Sequence, residues 1–131
     1  MKTTRDMSER HEKHLVNVLG GRMTKGSGST FADQGDGKQD YRSGQYVFCW
    51  DGKSTMAKSI SVSIDMWEKI EEQAHWARPA IPLRFYSDRR GINTLDLVVC
   101  SLTDFADMQT AANEITQLRE ENDELRRRME A

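Results

Sequence analysis

Residues 45–53 of the chain are Gln-Tyr-Val-Phe-Cys-Trp-Asp-Gly-Lys, and this stretch decides the fold. Its first six residues favour β-structure, and a turn signal at residues 42–44 precedes them, so we expect a strand over residues 45–50. Because residues i and i+2 of a strand face the same side, Asp51 and Lys53 are expected to project into one site. A carboxylate binds a divalent metal there, and a lysine orients or deprotonates a water.

The segments on either side of this strand predict a mixed sheet flanked by helices. Apolar residues at 15–19 stop at Gly20-Gly21, which indicates a helix. Serines alternate with apolar residues over 59–63, which predicts a strand, and Asp65 is the expected cap of a helix that ends at Arg78-Pro79. Further strands are expected over residues 82–86 and 94–100. The order of helices and strands indicates an α/β or α+β fold.

The C-terminal segment has the repeat of a coiled coil. Residues 112–131 contain neither Gly nor Pro, and their apolar residues recur at steps of three and four. A lone Asn at an a position fixes the register of two-stranded coils. The predicted seam of a and d positions is Ile115, Leu118, Asn122, Leu125 and Met129.

The charges beside this seam favour a parallel dimer. Glu114 and Glu121 occupy g positions, and each would face an arginine, Arg119 or Arg126, at an e position of the partner. The alternative is a single helix packed on its own domain. We expect a first domain over residues 1–110 and a dimerisation helix over residues 111–131.

Composition and charge narrow the function classes. The chain has 131 residues, with 19 Lys and Arg against 21 Asp and Glu, so its formal charge is −2 and any DNA-binding surface must be local. Apolar runs fall short of the ~20 residues of a membrane span. The N-terminal residues lack the apolar stretch of a secretory signal, and Cys49 and Cys100 are expected as reduced thiols, which predicts a cytoplasmic protein. His11, His14 and His75 lack zinc spacing and are expected at the surface.

Two further acids stand upstream of the Asp-Gly-Lys triplet. Glu12 lies in the first predicted helix, and Asp36 follows a glycine-rich loop at a hairpin-sized distance from Asp51. Pairing of the two strands would bring Asp36 alongside Asp51. Oxygen ligands of this kind suit Mg²⁺ or Mn²⁺. Taken alone, an Asp-x-Lys triplet is more often a solvated ion pair than a catalytic site.

The order and spacing of these stretches resemble the PD-(D/E)xK nuclease superfamily. Within it, the chain is most similar to Holliday junction resolvases of the archaeal type and their phage-encoded relatives. The matching stretches lie at residues 12–19, 22–28, 35–36, 47–55, 67–74 and 79–85. The resemblance implies a restriction-endonuclease-like fold and a homodimer that cuts branched DNA, the four-way junction of recombination and repair. It also implies Mg²⁺ as cofactor, with Mn²⁺ able to substitute, no organic cofactor, no membrane and, for a phage protein, the host cytoplasm.

The resemblance also assigns roles to residues of this chain. Asp36 matches the first metal-binding aspartate, Asp51 the second acid and Lys53 the catalytic lysine. Glu12 completes the metal site, and the backbone carbonyl of Gly52 would add a ligand. Catalysis would also use the Ser27 hydroxyl. The residues expected to bind the flanking DNA phosphates are Arg22, Lys25, Gly26, Ser27, Gly28 and Ser29.

The match departs from the family at two positions. Gly35 stands where the superfamily carries proline, and Asp51 stands where these resolvases more often carry glutamate. Substrate choice depends on surface shape rather than on the fold. Two alternatives therefore remain: a related nuclease that acts on flaps or other branched DNA, and a DNA-binding dimer without catalysis.

Overall fold

The computed structural model describes residues 3–20, 22–23, 37–38, 47–87 and 93–131. The elements of these residues, in chain order, are α1 (Thr4–Leu19), β1 (Arg22–Met23), β2 (Gly37–Lys38), β3 (Phe48–Trp50), β4 (Lys53–Thr55), α2 (Ile64–Ala74), β5 (Arg78–Tyr86), β6 (Thr94–Val99) and α3 (Leu102–Glu130). The chain divides into two compact units, Met1–Cys100 and Ser101–Ala131. None of the described helices combines the length and apolar character that crossing a membrane requires.

The sheet is mixed, as the sequence predicts. β1 pairs with β2 and β2 with β3 in antiparallel fashion, β3 and β4 run parallel to β5, and β6 is antiparallel to β5. Trp50 is the partner of Ala80, and Lys53 is the partner of Leu83 at the same offset in sequence. β3 and β4 are therefore two parts of one strand, interrupted at residues 51–52. The α+β class with helices flanking a mixed sheet is confirmed.

Helix α1 has clear signals at both ends. The Thr3 hydroxyl accepts a hydrogen bond from the Asp6 backbone N–H, and the Asp6 carboxylate accepts one from the Thr3 N–H, which forms a capping box. At the other end, Gly20 has φ 69°, a left-handed conformation that glycine adopts without a Cβ penalty, and its N–H donates to the Val16 carbonyl. The expected stop at Gly20 is confirmed.

The buried apolar residues of the sheet and helices form two clusters. One cluster joins Ile70 and Ala74 of α2 to Cys49 and Ile81 of the sheet, all fully buried. The other joins Leu15 of α1 to Trp50 and Ala80. Burial of each large side chain contributes about 1.5–3 kcal/mol, so these two clusters fix α1 and α2 against the strands.

The prediction for residues 59–65 is wrong in two respects. Residues 59–63 form no strand, and Val62 and Ile64 of the alternating pattern are exposed. The helix cap is Ser63, not Asp65, because the Ser63 hydroxyl accepts the Met66 backbone N–H at 3.1 Å. The serine that suggested a strand position therefore satisfies a helix terminus instead.

The other element bounds differ from expectation mainly in length. Helix α2 ends at Ala74, before the predicted stop at Arg78-Pro79, and β5 begins at Arg78 rather than at Pro82. Helix α3 begins at Leu102, capped by the Ser101 hydroxyl on the Asp104 N–H. The expected boundary between residues 110 and 111 therefore lies inside α3. The helical prediction for residues 112–130 is confirmed, and the pairing of that helix stays a prediction.

Candidate active site

The interruption between β3 and β4 brings a carboxylate and an ammonium group together. Lys53 Nζ lies 3.4 Å from Asp51 Oδ2, and the two side chains are 37% and 18% exposed. The Asp51 N–H donates to the Ala80 carbonyl, so the strand stays attached to β5 through the interruption. The expectation that these two side chains converge is confirmed. Both groups remain accessible to a ligand from solvent.

Gly52, between them, is the point at which α1 approaches the strand. A Cβ atom at this position would lie 3.0 Å from Leu15 Cδ1 and 3.3 Å from both Cε1 and Nδ1 of His11. Glycine has no Cβ, and this absence lets the helix pack directly on the strand. The contact fixes the helix segment that carries Glu12 beside the segment that carries Asp51.

Glu12 is electrostatically linked to this strand. Burial raises the pKa of its carboxyl above the ordinary value, and the negative charges of Glu9 and Asp51 raise it further. Like charges brought together in this way are stabilised by a cation placed between them. Glu12 and Asp51 therefore share one electrostatic environment, although they lie far apart in the chain.

His11 is buried, contrary to the expectation of a surface position. It is 2% exposed, and burial and then the positive charge of Arg84 lower its pKa from 6.5 to about 4. Asp96 acts in the opposite direction. The Nε2 atom of His11 is buried and makes no hydrogen bond within the described part of the chain. Met7, His11 and Leu15 form the buried face of α1, so their spacing of four residues was the available signal.

A polar network between the strands and α1 was also missed from the sequence. The Arg84 guanidinium donates to both oxygens of Asp96, from Nε at 2.6 Å and from Nη2 at 3.0 Å, and lies 5.5 Å from the Tyr86 ring centroid. The Tyr86 hydroxyl donates to the Met7 carbonyl at 3.0 Å. This network links β6, β5 and the first half of α1. It explains how a buried arginine is accommodated, because its charge is paired and hydrogen-bonded.

The outer end of this network reaches solvent. His14 Nε2 lies 3.6 Å from Asp96 Oδ2, and the His14 side chain is 43% exposed. The expected surface position is confirmed for His14 and for His75, which is also exposed. Cys49 is buried and Cys100 partly buried, and neither forms a disulfide.

The structure brings together some of the predicted site residues. Asp51 and Lys53 form an ion pair, Gly52 contacts α1, and the charge of Asp51 acts on the Glu12 carboxyl of that helix. For Arg22 only the backbone is described. Gly37 is the partner of Trp50, the residue before Asp51. The predicted residues that lie outside the described part of the chain are Lys25, Gly26, Ser27, Gly28, Ser29 and Asp36.

Two acids, Glu12 and Asp51, lie on the helix and the strand segment that approach each other at Gly52. Within residues 3–20, 47–87 and 93–131, no three His, Cys, Asp or Glu side chains are grouped closely enough to hold an ion. Comparisons with protein-family models, curated proteins and solved structures find no match to this chain.

Proposed function

We propose that this protein is a metal-dependent endonuclease that resolves four-way DNA junctions by hydrolysing one phosphodiester in each of two strands. The observation that carries the proposal is the 3.4 Å pair of Asp51 and Lys53 on either side of Gly52, a glycine that contacts the helix carrying Glu12. These are the acid, lysine and helix glutamate positions on which the resemblance to PD-(D/E)xK resolvases rests. A restriction-endonuclease-like arrangement of the mixed sheet is part of the same proposal.

The donor set suits Mg²⁺. Glu12 and Asp51 offer hard carboxylate oxygens. Burial, and then the negative charges of Glu9 and Asp51, raise the pKa of Glu12, and a divalent cation would offset both effects. We propose Asp36 as the third carboxylate and the Gly52 carbonyl as a further ligand. The pairing of Gly37 with Trp50 supports this, because one more step of an antiparallel register would place positions 36 and 51 opposite each other.

Each side chain then has a distinct task. A bound Mg²⁺ would supply Lewis-acid activation of the attacking water and neutralise charge on the phosphate. As an ammonium group, Lys53 would hold the water in place through Nζ; as the neutral amine, it would accept the proton of the water. Asp51 keeps the ammonium form beside the reacting phosphate. Leu15 and His11 hold α1 on Gly52, so that Glu12 stays at the site.

DNA binding is proposed for residues 22–29. Arg22, Lys25 and the Gly26–Ser29 segment would contact phosphates, which positions the duplex without reading its sequence, and the Ser27 hydroxyl would lie near the scissile group. A nuclease of the same chemistry that prefers flaps remains the nearest alternative, because substrate shape is selected by surfaces outside the metal site.

The proposal is tested by incubating the full chain with a synthetic four-way junction, a flap and a linear duplex. We expect symmetric cuts in the junction with Mg²⁺ or Mn²⁺ and none with EDTA. An Asp51→Asn chain should bind the junction and leave it intact, whereas an Asp65→Asn chain, altered at an exposed aspartate of α2, should cut normally. Faster cutting of the flap would assign the flap nuclease alternative. Binding without cutting by the unaltered chain would contradict the nuclease and favour a DNA-binding dimer.

A further inference from the structure

Helix α3 is 29 residues long and has no buried residue. Its apolar stripe is exposed: 49% at Ile115, 62% at Leu118, 55% at Leu125 and 85% at Met129. A long helix of this kind gains little stability from its own chain, because most helical stability in proteins comes from packing an apolar face.

The structure lengthens the seam that the sequence suggested. Because α3 begins at Leu102 rather than near residue 112, the heptad repeat continues upstream to Met108 at an a position and Ala111 at a d position. Both residues are partly exposed. The seam therefore runs from Met108 to Met129, which is a full heptad more than the segment predicted from sequence.

We infer that α3 pairs with the α3 of a second copy of this chain, in parallel and in register, along the whole seam from Met108 to Met129. The flanking charges determine the orientation. In a parallel pair, Glu114 faces the partner's Arg119, and Glu121 faces the partner's Arg126. In an antiparallel pair, g positions face g positions and e positions face e positions, which would set glutamate against glutamate and arginine against arginine.

The single helix leaves the two e-position arginines available for such pairing. Arg128 forms an ion pair with Glu124 of its own helix at 3.0 Å. Arg119 and Arg126 have no ion pair within the residues that the structure describes. Asn122 favours the same orientation, because a parallel register pairs it with the same amide of the partner, whereas an antiparallel one sets it against an apolar d residue.

The pairing has a consequence for the proposed nuclease, and this part of the inference rests on that proposed function. A parallel pair brings both Ser101 caps to the same end of the coil. Only Cys100 and Ser101 separate β6 from α3 in each chain. The Met1–Cys100 units of the two chains are therefore joined to the same end of the coil. This connection raises the effective concentration of the second unit at a junction that the first has bound. The second cut should follow before the nicked junction dissociates.

Sedimentation of the full chain at micromolar concentration tests the pairing without DNA or metal. We expect a dimer for the unaltered chain and a monomer for the Leu118→Glu, Leu125→Glu double variant. The matched control is Gln109→Glu with Asn113→Glu, which adds the same charge outside the seam and should stay dimeric. A monomeric unaltered chain, or a dimer that survives the seam substitutions, would overturn the inference.

Cysteine cross-linking tests the orientation. In a Cys100→Ser background, Met129→Cys places one thiol at an a position, and Cys49 is fully buried and does not compete. A parallel pair in register should form a disulfide-linked dimer on oxidation. An antiparallel pair sets the a position 129 against a d position, 111, of the partner instead. Linkage only after mixing with an Ala111→Cys chain would therefore refute the parallel arrangement.

A supercoiled plasmid that extrudes a cruciform tests the coupling of the two cuts. The dimeric chain should convert it mainly to linear product, and the Leu118→Glu, Leu125→Glu chain should accumulate nicked circles. Equal yields of linear product from both would overturn the coupling. If neither chain cuts, the proposed nuclease and the coupling both fail, while sedimentation and cross-linking still decide the pairing.

Discussion

Lys53 Nζ and Asp51 Oδ2 lie 3.4 Å apart on either side of a glycine that touches helix α1. The ion pair comes from one strand, whereas Glu12 comes from the helix, so the site depends on how closely the helix and strand approach. Gly52 sets that approach. Three properties of the site can be measured separately: the stability of this contact, the response of the acids to a metal ion, and the cleavage reaction.

Gly52→Ala should lower the free energy of unfolding by about 1–3 kcal/mol, the usual cost of an extra methyl group in a packed site. The added Cβ would lie 3.0 Å from Leu15 Cδ1 and 3.3 Å from two atoms of His11, so these side chains must move by a few tenths of an ångström within a packed site. Urea unfolding monitored by tryptophan fluorescence measures the change.

The matched comparison is a double-mutant cycle with Leu15→Ala. Shortening Leu15 removes the closest atom, so Gly52→Ala should cost less in the Leu15→Ala chain than in the unaltered one. Equal costs in both backgrounds would show that the helix contact at Gly52 is not the source of the constraint.

Mg²⁺ should stabilise the folded chain in the absence of DNA. An ion that binds only the folded state at about a hundred times its Kd adds about 2.7 kcal/mol, seen as a higher Tm in a thermal melt. Glu12→Gln and Asp51→Asn should each reduce this gain, and Glu71→Gln, an exposed glutamate of α2, should not. Because the pKa of Glu12 is raised, the gain should begin to fade at a higher pH than for an ordinary glutamate. A Tm that Mg²⁺ leaves unchanged at neutral pH would contradict the proposed metal site.

The buried His11 should make the fold sensitive to acid. Its pKa is about 4 in the folded chain against 6.5 when exposed, so the unfolded chain binds the proton first. Its contribution is therefore complete above pH 6.5 and is lost as the pH falls toward 4. Between neutral pH and pH ~5 the free energy of unfolding should drop by about 2 kcal/mol from this group.

Replacing the imidazole isolates that contribution. His11→Gln should flatten the pH dependence of unfolding over this range, because the group that binds a proton more readily in the unfolded chain is then absent. A His11→Gln chain with the same pH slope as the unaltered protein would mean that another group titrates in this range.

Asp96→Asn should weaken the attachment of β6 to the sheet. It leaves the guanidinium of Arg84, whose side chain is 9% exposed, without its charged partner, while Asp96 itself is 38% exposed and screened by water. Hydrogen bonds to charged groups contribute about 1.5–3 kcal/mol, and screening favours the lower end. Denaturant unfolding of Asp96→Asn against Asp123→Asn, at an exposed aspartate of α3, measures the difference. No loss beyond the control would contradict a stabilising role for this pair.

Local patterns predicted the elements whose ends or faces are marked by a single residue type. Gly20 ends α1 because its left-handed φ favours glycine, and Asp51 and Lys53 converge because strand side chains repeat every second residue. The same reasoning wrongly placed Ser63 in a strand, because serine suits both the exposed face of a strand and the N-cap of a helix. Only the helix-terminus hydrogen bond distinguishes the two.

These local patterns did not predict the contacts between residues far apart in the chain. His11 is buried where α1 packs against Gly52, which lies 41 positions further along the chain. Arg84 is buried because Asp96 pairs with it across neighbouring strands. Polar residues at core positions follow no hydrophobic period, so periodicity assigns them to the surface. The proximity of Glu12 to Asp51 was implied only by the family resemblance. The roles of Asp36 and of residues 25–29 stay predictions, since these residues lie outside the described part of the chain.

The most direct measurement is the single-turnover rate at which a Lys53→Met chain cuts a labelled four-way junction in Mg²⁺, with junction binding measured in parallel. Lys58→Met, at an exposed lysine of the same region, is the control. The account predicts at least about a hundredfold slower cutting by Lys53→Met with nearly unchanged binding, and an unaltered rate for Lys58→Met. Cutting by Lys53→Met at the rate of the unaltered chain would contradict it.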